Sequence, residues 1–459
     1  MNIFKYIKKY FFLTFFLFFI INIYNIYKVN NSFNNFSTEN NKIIEHKIIK
    51  GDSLKYWNIA SELDGNFFTL PLQYRNAQLY PKIIYLYSEL TNQKLFDEYG
   101  NAILNKKFNI FYFQLLIYFF SLLIFYKSLH KNINVKYLPE LIILFLSIDP
   151  FINQVHHEFF KEKIFISILI IFISLIINLN SVSIKNFLLL GLVIGFLFMQ
   201  RGVAVFYIYF LVPFFLYFFK NSRFKIMISL FSGYLLVILL IAISSYYTLG
   251  KVRITPTQAD SAIFGYLAPN VYAKQKKISI AESKKVFFKE KTNEFVEAND
   301  LNLNNFEDLQ LLLKFQKEYG YKVLVNDPKN TIKVLIYNYS KNLFLHYNWV
   351  IEFFSSSGKK NEQNIQSVNR EKNSFLKRAI YSLMYLSITL IGFISSFKIL
   401  DKKIIIFLSI SFIYFYVVSG WIGNPRYFLP SYLFGEIFFA VGIFFILKKF
   451  SMNKLVKKI

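Results

Sequence analysis

An aspartate stands just past the first apolar segment of this sequence, in the run Gly51-Asp52-Ser53-Leu54-Lys55-Tyr56-Trp57-Asn58-Ile59-Ala60. A carboxylate at the mouth of an apolar bundle is costly unless it is solvated or used. Tyr56 and Ala60 follow it at the spacing of one helix face, which puts Asp52 at the start of an amphipathic helix. The helix dipole favours the ionised form there, and an ionised carboxylate is a general base toward an acceptor hydroxyl. A solvated loop aspartate is the plainer alternative.

A second polar run, His156-His157-Glu158-Phe159-Phe160-Lys161-Glu162-Lys163, follows the third apolar segment. Glu158 and Glu162 lie one helical turn apart and call for a cation near them. Histidine and carboxylate also bind divalent ions, so a metal site is an open option. The plainer alternative is charge marking the end of a span. The seven arginines are scarce against a large excess of lysine, and where arginine persists its planar fork has a use. Arg201 sits between two apolar segments, and Arg426 with Tyr427 stands before the last one. Each arginine is placed either to grip a phosphate in two contacts or to anchor the chain at an interface. Arg75 lies in the first polar stretch, and Glu436 falls near the middle of the last apolar run.

The elements that must position these residues are transmembrane helices. The chain of 459 residues is 55% hydrophobic and 20% aromatic, with a mean hydropathy of +0.37, and only a bilayer solvates that much apolar surface. It contains no cysteine, which excludes disulfides, thiolate metal sites and cysteine nucleophiles. The net charge of +26 comes with inflated Phe, Ile, Asn, Lys and Tyr, the mark of an AT-rich coding bias. The basic residues flank apolar segments, so their expected partners are anionic lipid head groups of the bilayer, and nucleic acid is excluded as a partner.

Runs of about 20 apolar residues, the length that crosses a bilayer, lie near 10–27, 108–126, 138–156, 163–179, 186–200, 202–219, 225–247, 379–397, 404–421 and 427–447. The expected fold is an all-α polytopic membrane protein, a bundle of about 10 transmembrane helices with two large extracytoplasmic loops. Residues 1–247 form an N-terminal module of seven spans that includes the first external loop, 28–107. Residues 248–378 form an extracytoplasmic, mostly helical segment, with helical periodicity over 278–296, 306–319 and 331–349. Residues 379–459 form a C-terminal module of three spans. Lys5, Lys127, Lys220, Lys402 and Lys448 then all fall on one side, which the positive-inside rule makes cytoplasmic. Both termini are inside, and Asp52, Glu162, Arg201 and Arg426 fall outside.

Five pieces, in order, resemble the GT-C-fold membrane glycosyltransferases, specifically the bacterial relatives of protein O-mannosyltransferases and aminoarabinose transferases (glycosyltransferase family 39-like). Asp52, Tyr56 and Ala60 match the first-loop D-x-x-x-Y-x-x-x-A pattern. Arg75 through Tyr80-Pro81 is similar to R-x-P-x-Y-P without its middle proline. Pro150 followed by Lys161-Glu162 resembles the signature in which an acidic residue opens the fourth span. Gly191-Leu192 through Gln200-Arg201 resembles G-L-x-x-G-x-x-x-x-x-R. Arg426-Tyr427-Phe428-Leu429-Pro430 is similar to R-Y-x-x-P.

The resemblance implies a GT-C-like bundle in a bacterial inner (cytoplasmic) membrane, with its active site facing the periplasm or exterior. It implies transfer of a sugar from a polyprenyl-phosphate-linked donor to an extracytoplasmic acceptor, with no certain cofactor. Asp52 and Glu162 would be catalytic. Arg201, Arg426, Tyr427 and Lys161 would bind the donor phosphate, and Tyr56, Arg75, Glu158 and His157 the substrate. Other readings are an O-antigen polymerase or ligase, which leaves Asp52 unexplained, a non-catalytic scaffold, and a polytopic transporter or flippase. Glu436 is the best support for the transporter, and the internal repeat expected of one is missing.

Overall fold

Each long apolar run of the chain becomes a helix, because a backbone without water must satisfy its own hydrogen bonds. In the computed structural model the described residues run from 11 to 456. Positions 14, 18, 25–55, 57–58, 61–62, 64–78, 93–109, 150, 153–160, 180–182, 256–260, 304, 345–366 and 424 are excluded, as are both termini. After a helical stretch at Phe11–Tyr24 come α1 (Leu79–Thr91), α2 (Ile110–Asn132), α3 (Leu138–Ile148), α4 (Glu162–Ile177), α5 (Ile184–Gln200), α6 (Tyr207–Phe218) and α7 (Arg223–Leu249). The segment expected to be external, called the outer segment for that expectation, holds α8 (Ala268–Lys276), α9 (Ile280–Lys285), α10 (Thr292–Ala298), α11 (Phe306–Asn326) and α12 (Pro328–Phe344), with π-helical turns at Ile263–Leu267 and Val286–Lys291. Three long helices close the chain: α13 (Ser367–Ile399), α14 (Lys402–Gly420) and α15 (Pro425–Val456). No strand occurs among the described residues, and the protein is an all-helical, polytopic membrane protein.

Among the described residues, five helices are long and apolar enough to cross a membrane: Ile110–Asn132, Arg223–Tyr247, Ile380–Ile399, Lys402–Gly420 and Tyr427–Phe450. Other expected spans are shorter helices. The expected span over 138–156 ends at Ile148 and is about 16 Å long at ~1.5 Å per residue. The cause is local: Asp149 precedes Pro150, and a residue before proline is driven out of the α region; Asp149 has ψ 119°. The expected span over 202–219 opens with a 3-10 turn at Gly202–Ala204 and becomes α-helical only from Tyr207.

α5 packs along α7, and α13 along α15, both at backbone contact. A β-carbon at Gly191 would run into the Leu230 carbonyl oxygen, and one at Gly392 into the Phe438 carbonyl oxygen. This is the small-residue seam by which helices associate in lipid. Gly392→Ala is expected to destabilise the protein by at least the ~1–3 kcal/mol typical of overpacking, because a backbone carbonyl cannot turn aside. Gly265→Ala, where the new methyl would meet only the Phe288 ring edge at 3.6 Å, should be tolerated. Thermal unfolding of both variants in detergent checks the contrast.

The two ends of the bundle differ. At one end Asn132 of α2 donates to Asn178 just past α4, and Lys403 of α14 donates to the Leu179 carbonyl; lysines crowd this end. At the other end the outer segment docks. Asn338, Tyr339 and Asn342 of α12 donate to the Trp421, Val417 and Gly420 carbonyls. These are the last-turn acceptors that a helix cannot satisfy itself. The outer segment has its own core of Phe264, Leu267, Val271, Phe287, Val323 and Val334, against which Trp421 packs. Of the expected helical stretches, 278–296 is helical from Ile280, 306–319 is helical throughout, and 331–349 is helical as far as Phe344. The first loop, expected to be polar and external, contributes α1, whose Tyr80 and Ile84 are buried.

Candidate functional site

Lys161, Glu162 and Lys163 open α4 with three consecutive buried charges. Neighbouring helix positions point about 100° apart, so the three side chains go to three different places. Lys161 places its ammonium 5.6 Å from the centre of the Tyr56 ring. Glu162 is fully buried and lies 3.8 Å from an Arg201 terminal nitrogen. Lys163 turns inward to Tyr118.

Arg201 is the residue at which α5 stops. Its backbone is extended, with φ −149° and ψ 123°, and the 3-10 turn at Gly202 carries the chain on. The preceding side chain ties this corner to α4, because Gln200 Nε2 donates to the Lys161 carbonyl at 2.7 Å. The Arg201 guanidinium is 2% exposed. It lies 5.6 Å from the Phe165 ring centre and 5.2 Å from that of Tyr427, at the start of α15. Rings take up the delocalised charge of guanidinium. Neither terminal nitrogen of Arg201 has a hydrogen-bond partner among the described residues. Buried donors are nearly always paired, so a fork held beside a carboxylate but outside hydrogen-bond length keeps its donors for another acceptor.

The first loop closes the other flank. Tyr56 stacks edge-on against Tyr80, Tyr80 is bonded to the Gln114 side-chain amide, and Ile164 of α4 joins the same cluster. Burial raises the Tyr80 phenol above its ordinary value, and the nearby Glu162 carboxylate adds to the rise, so Tyr80 stays a neutral hydroxyl. Beside Tyr427, Tyr266, in the π-helical turn before α8, brings its hydroxyl within 3.2 Å of the Tyr427 hydroxyl. A π-turn often marks a functional position.

Tyr56, Lys161, Glu162, Arg201 and Tyr427 therefore converge from four separate parts of the chain, at the end of the bundle that the outer segment covers. Asp52, Arg75, His157 and Glu158 lie outside the described residues, as does the Arg426 side chain, although its helix position at the start of α15 is described. Glu436 is not part of this cluster; it is 2% exposed inside the bundle. No group of three or more metal-binding side chains occurs among the described residues, and the charge set against Glu162 is the Arg201 cation.

Sequence reasoning missed Tyr80 and Gln200 as contacts, and missed Gln114 and Tyr266 altogether. Gln114 had a signal: an amide in the middle of an apolar run needs a partner inside the bundle. Tyr266 had none, since its partner lies 161 positions away.

No family model and no curated relative matches the sequence. Among solved structures, the archaeal oligosaccharyltransferase AglB from Archaeoglobus fulgidus, in complex with an inhibitory peptide and a dolichol-phosphate, aligns over 89% of this chain and 48% of its own. The TM-score is 0.48 and the identity 11%. The apo form of the Archaeoglobus fulgidus oligosaccharyltransferase aligns over 88% of this chain and 48% of its own, with TM-score 0.46 and 12% identity. The form tethered to an acceptor peptide with the NVT sequon gives 88%, 46%, 0.46 and 10%. This chain spans about half the length of those proteins, and the overlap is too loose to define a fold family or a chemistry.

Proposed function

We propose that the protein is a GT-C-type membrane glycosyltransferase that moves a sugar from a polyprenyl-phosphate-linked donor to an extracytoplasmic acceptor. The observation that carries this reading is the Arg201 fork: buried, held beside Glu162, roofed by Tyr427, and with both terminal nitrogens unspent among the described residues. An anion with two oxygens satisfies such a fork, and a lipid phosphate at the end of a transmembrane bundle brings that anion with a tail for the bilayer. The sequence motifs support the same reading, since four of the five contribute a residue to the cluster.

In this mechanism Asp52 accepts the proton of the acceptor nucleophile as that atom bonds to the anomeric carbon. The bond from the anomeric carbon to the phosphate oxygen breaks, and its electron pair leaves with the lipid phosphate. Arg201, with Arg426 and Lys161, holds the negative charge as it develops, which is where fixed cations lower a barrier most. Glu162 orients the fork, and Tyr427 keeps water from it. A divalent ion near His157 and Glu158 would add to the same charge stabilisation.

The test is transfer by the purified chain from a polyprenyl-phosphate sugar to an acceptor extract of the cell envelope, run with Arg426 variants. Arg426→Lys keeps the charge and loses the fork, and Arg426→Ala loses both. Donor affinity is expected to fall by about tenfold or more for Lys and further for Ala, as loss of one and then two charge-assisted hydrogen bonds predicts. Equal donor affinity for wild type and Arg426→Lys would make Arg426 an interfacial anchor, and no transfer by the wild-type chain would reject the function.

A further inference from the structure

The helix α7 ends in two exposed tyrosines. Tyr246 and Tyr247 are 59% and 81% exposed, and Tyr247 is the last residue of the apolar stretch. Tyrosine at that position sits at the level of the lipid head groups. The chain beyond does not rise away from that level. Gly250 turns it with φ 65°, a conformation that glycine adopts freely. Ser245, two residues before Tyr247, then holds it. Its hydroxyl accepts from the Arg253 amide at 2.7 Å and lies 3.2 Å from the Lys251 carbonyl. Arg253 is thereby kept at the depth of the end of the span.

Arg253 forms one side of an open groove of about 580 Å³, within the range of small-molecule sites. The other side is a face of α11. Glu307, Gln310, Leu311, Lys314 and Lys317 recur there at the three- and four-residue spacing that aligns side chains along a helix. Glu307 is already engaged, because Lys251 Nζ donates to its Oε1 at 2.7 Å. Lys314 and Lys317 are one turn apart, a spacing at which like charges repel. Neither has a carboxylate within ion-pair distance among the described residues. The guanidinium of Arg253 is held by its own loop, with Nε donating to the Thr255 carbonyl at 2.9 Å.

The groove therefore presents cations from two separate parts of the chain, at head-group depth, with its lining carboxylate engaged by Lys251. A phosphate suits it, since its several oxygens can meet a guanidinium and an ammonium at once. Leu311 and Val252, 51% and 64% exposed, give an adjoining acyl chain an apolar surface. We propose that this groove binds the phosphate of an anionic lipid head group, between Arg253 and the Lys314–Lys317 turn. The site is independent of sugar transfer. The lysines that flank the apolar runs are expected to meet head groups singly, whereas here one phosphate bridges α11 to the end of α7. It would tie the outer segment to the bilayer at a second place, beside the bonds from α12 to the end of α14.

The experiment uses the full-length chain in phospholipid nanodiscs. The chain contains no cysteine, so Val252→Cys carries a single fluorophore beside the groove. Its quenching is titrated with phosphatidylglycerol and with phosphatidylcholine, each bearing a nitroxide high on one acyl chain. Phosphatidylglycerol should reach half-maximal quenching at a mole fraction about tenfold or more below that of phosphatidylcholine. Lys317→Gln in the same background should raise that mole fraction about fivefold, the value of one basic side chain at an anionic surface, and Lys314→Gln/Lys317→Gln should raise it further. Both lysines are exposed, so the thermal midpoint should not move. Lys276→Gln/Lys277→Gln, at exposed positions outside the groove, should keep the preference. Inorganic phosphate, at matched ionic strength, should not relieve the quenching. Equal quenching by the two lipids would overturn the site. So would a preference that survives Lys314→Gln/Lys317→Gln, or one that Lys276→Gln/Lys277→Gln removes equally, which is the mark of general surface charge. Relief of the quenching by millimolar inorganic phosphate would overturn the lipid as the source of the anion and make the groove a site for soluble phosphate.

Discussion

Asp52→Asn is expected to lower sugar transfer by about 10²- to 10⁴-fold, the range for loss of a general base, while the protein still inserts and folds. Asparagine keeps the shape of the side chain and removes its capacity to take a proton. The measurement is kcat of the purified variant, with its thermal unfolding and its donor affinity as controls. Donor affinity should change little, because in the proposed mechanism the proton moves only as the acceptor attacks. Near wild-type kcat would remove Asp52 from the base role and leave the acceptor to be activated by another group. Labelling the Ser53→Cys variant of this cysteine-free chain decides on which side of the membrane that chemistry would occur. Labelling only from the cytoplasmic side would overturn the mechanism as a whole.

The second large effect concerns Arg201 and Glu162. Removing one partner of a buried ion pair weakens the compensation of the other charge, at a cost of up to about 3–5 kcal/mol. Arg201→Met should therefore destabilise the protein by that order, through the fully buried Glu162. Adding Glu162→Gln should restore most of the stability, since it removes the stranded charge. It should not restore transfer, because the fork proposed to receive the phosphate is still missing. Arg201→Lys separates the two roles further: it keeps the ion pair and loses the planar donors, so stability should be near wild type with donor affinity lowered. Transfer recovered together with stability in the double variant would make the pair purely structural.

Part of this arrangement is legible in the sequence. The apolar runs give the helices, and the scarcity of arginine against so much lysine is enough to mark Arg201. The Lys161-Glu162 step and the Arg426-Tyr427 step stand out because lysine supplies most charges at the edges of apolar runs, and a carboxylate or an arginine there is rare. The rest depends on distances along the chain that no local pattern encodes. Asp149 and Tyr432, joined by a hydrogen bond, are 283 residues apart, so nothing near either one announces the other. Lys163 reads as a flanking charge, yet α4 starts deep enough in the bundle that its first turn is buried. α3 is shorter than its apolar run because one proline ends it, and Asp149 is thereby placed in the interior. The helix α1 has no clear sequence signal because its buried face is carried by tyrosine, proline, lysine and serine as well as isoleucine.

The Arg201 fork is built by two parts of the chain that are made far apart in time. Glu162, Phe165 and Arg201 enter the membrane in the first half of synthesis, whereas the Tyr427 ring that covers the guanidinium arrives with the last helix. A ribosome still translating the segment before α13 therefore carries a nascent chain whose Arg201 fork stands open and unroofed. In the proposed reaction such a chain cannot hold a lipid-linked donor away from water, so a stalled or truncated product is inert and does not squander the carrier.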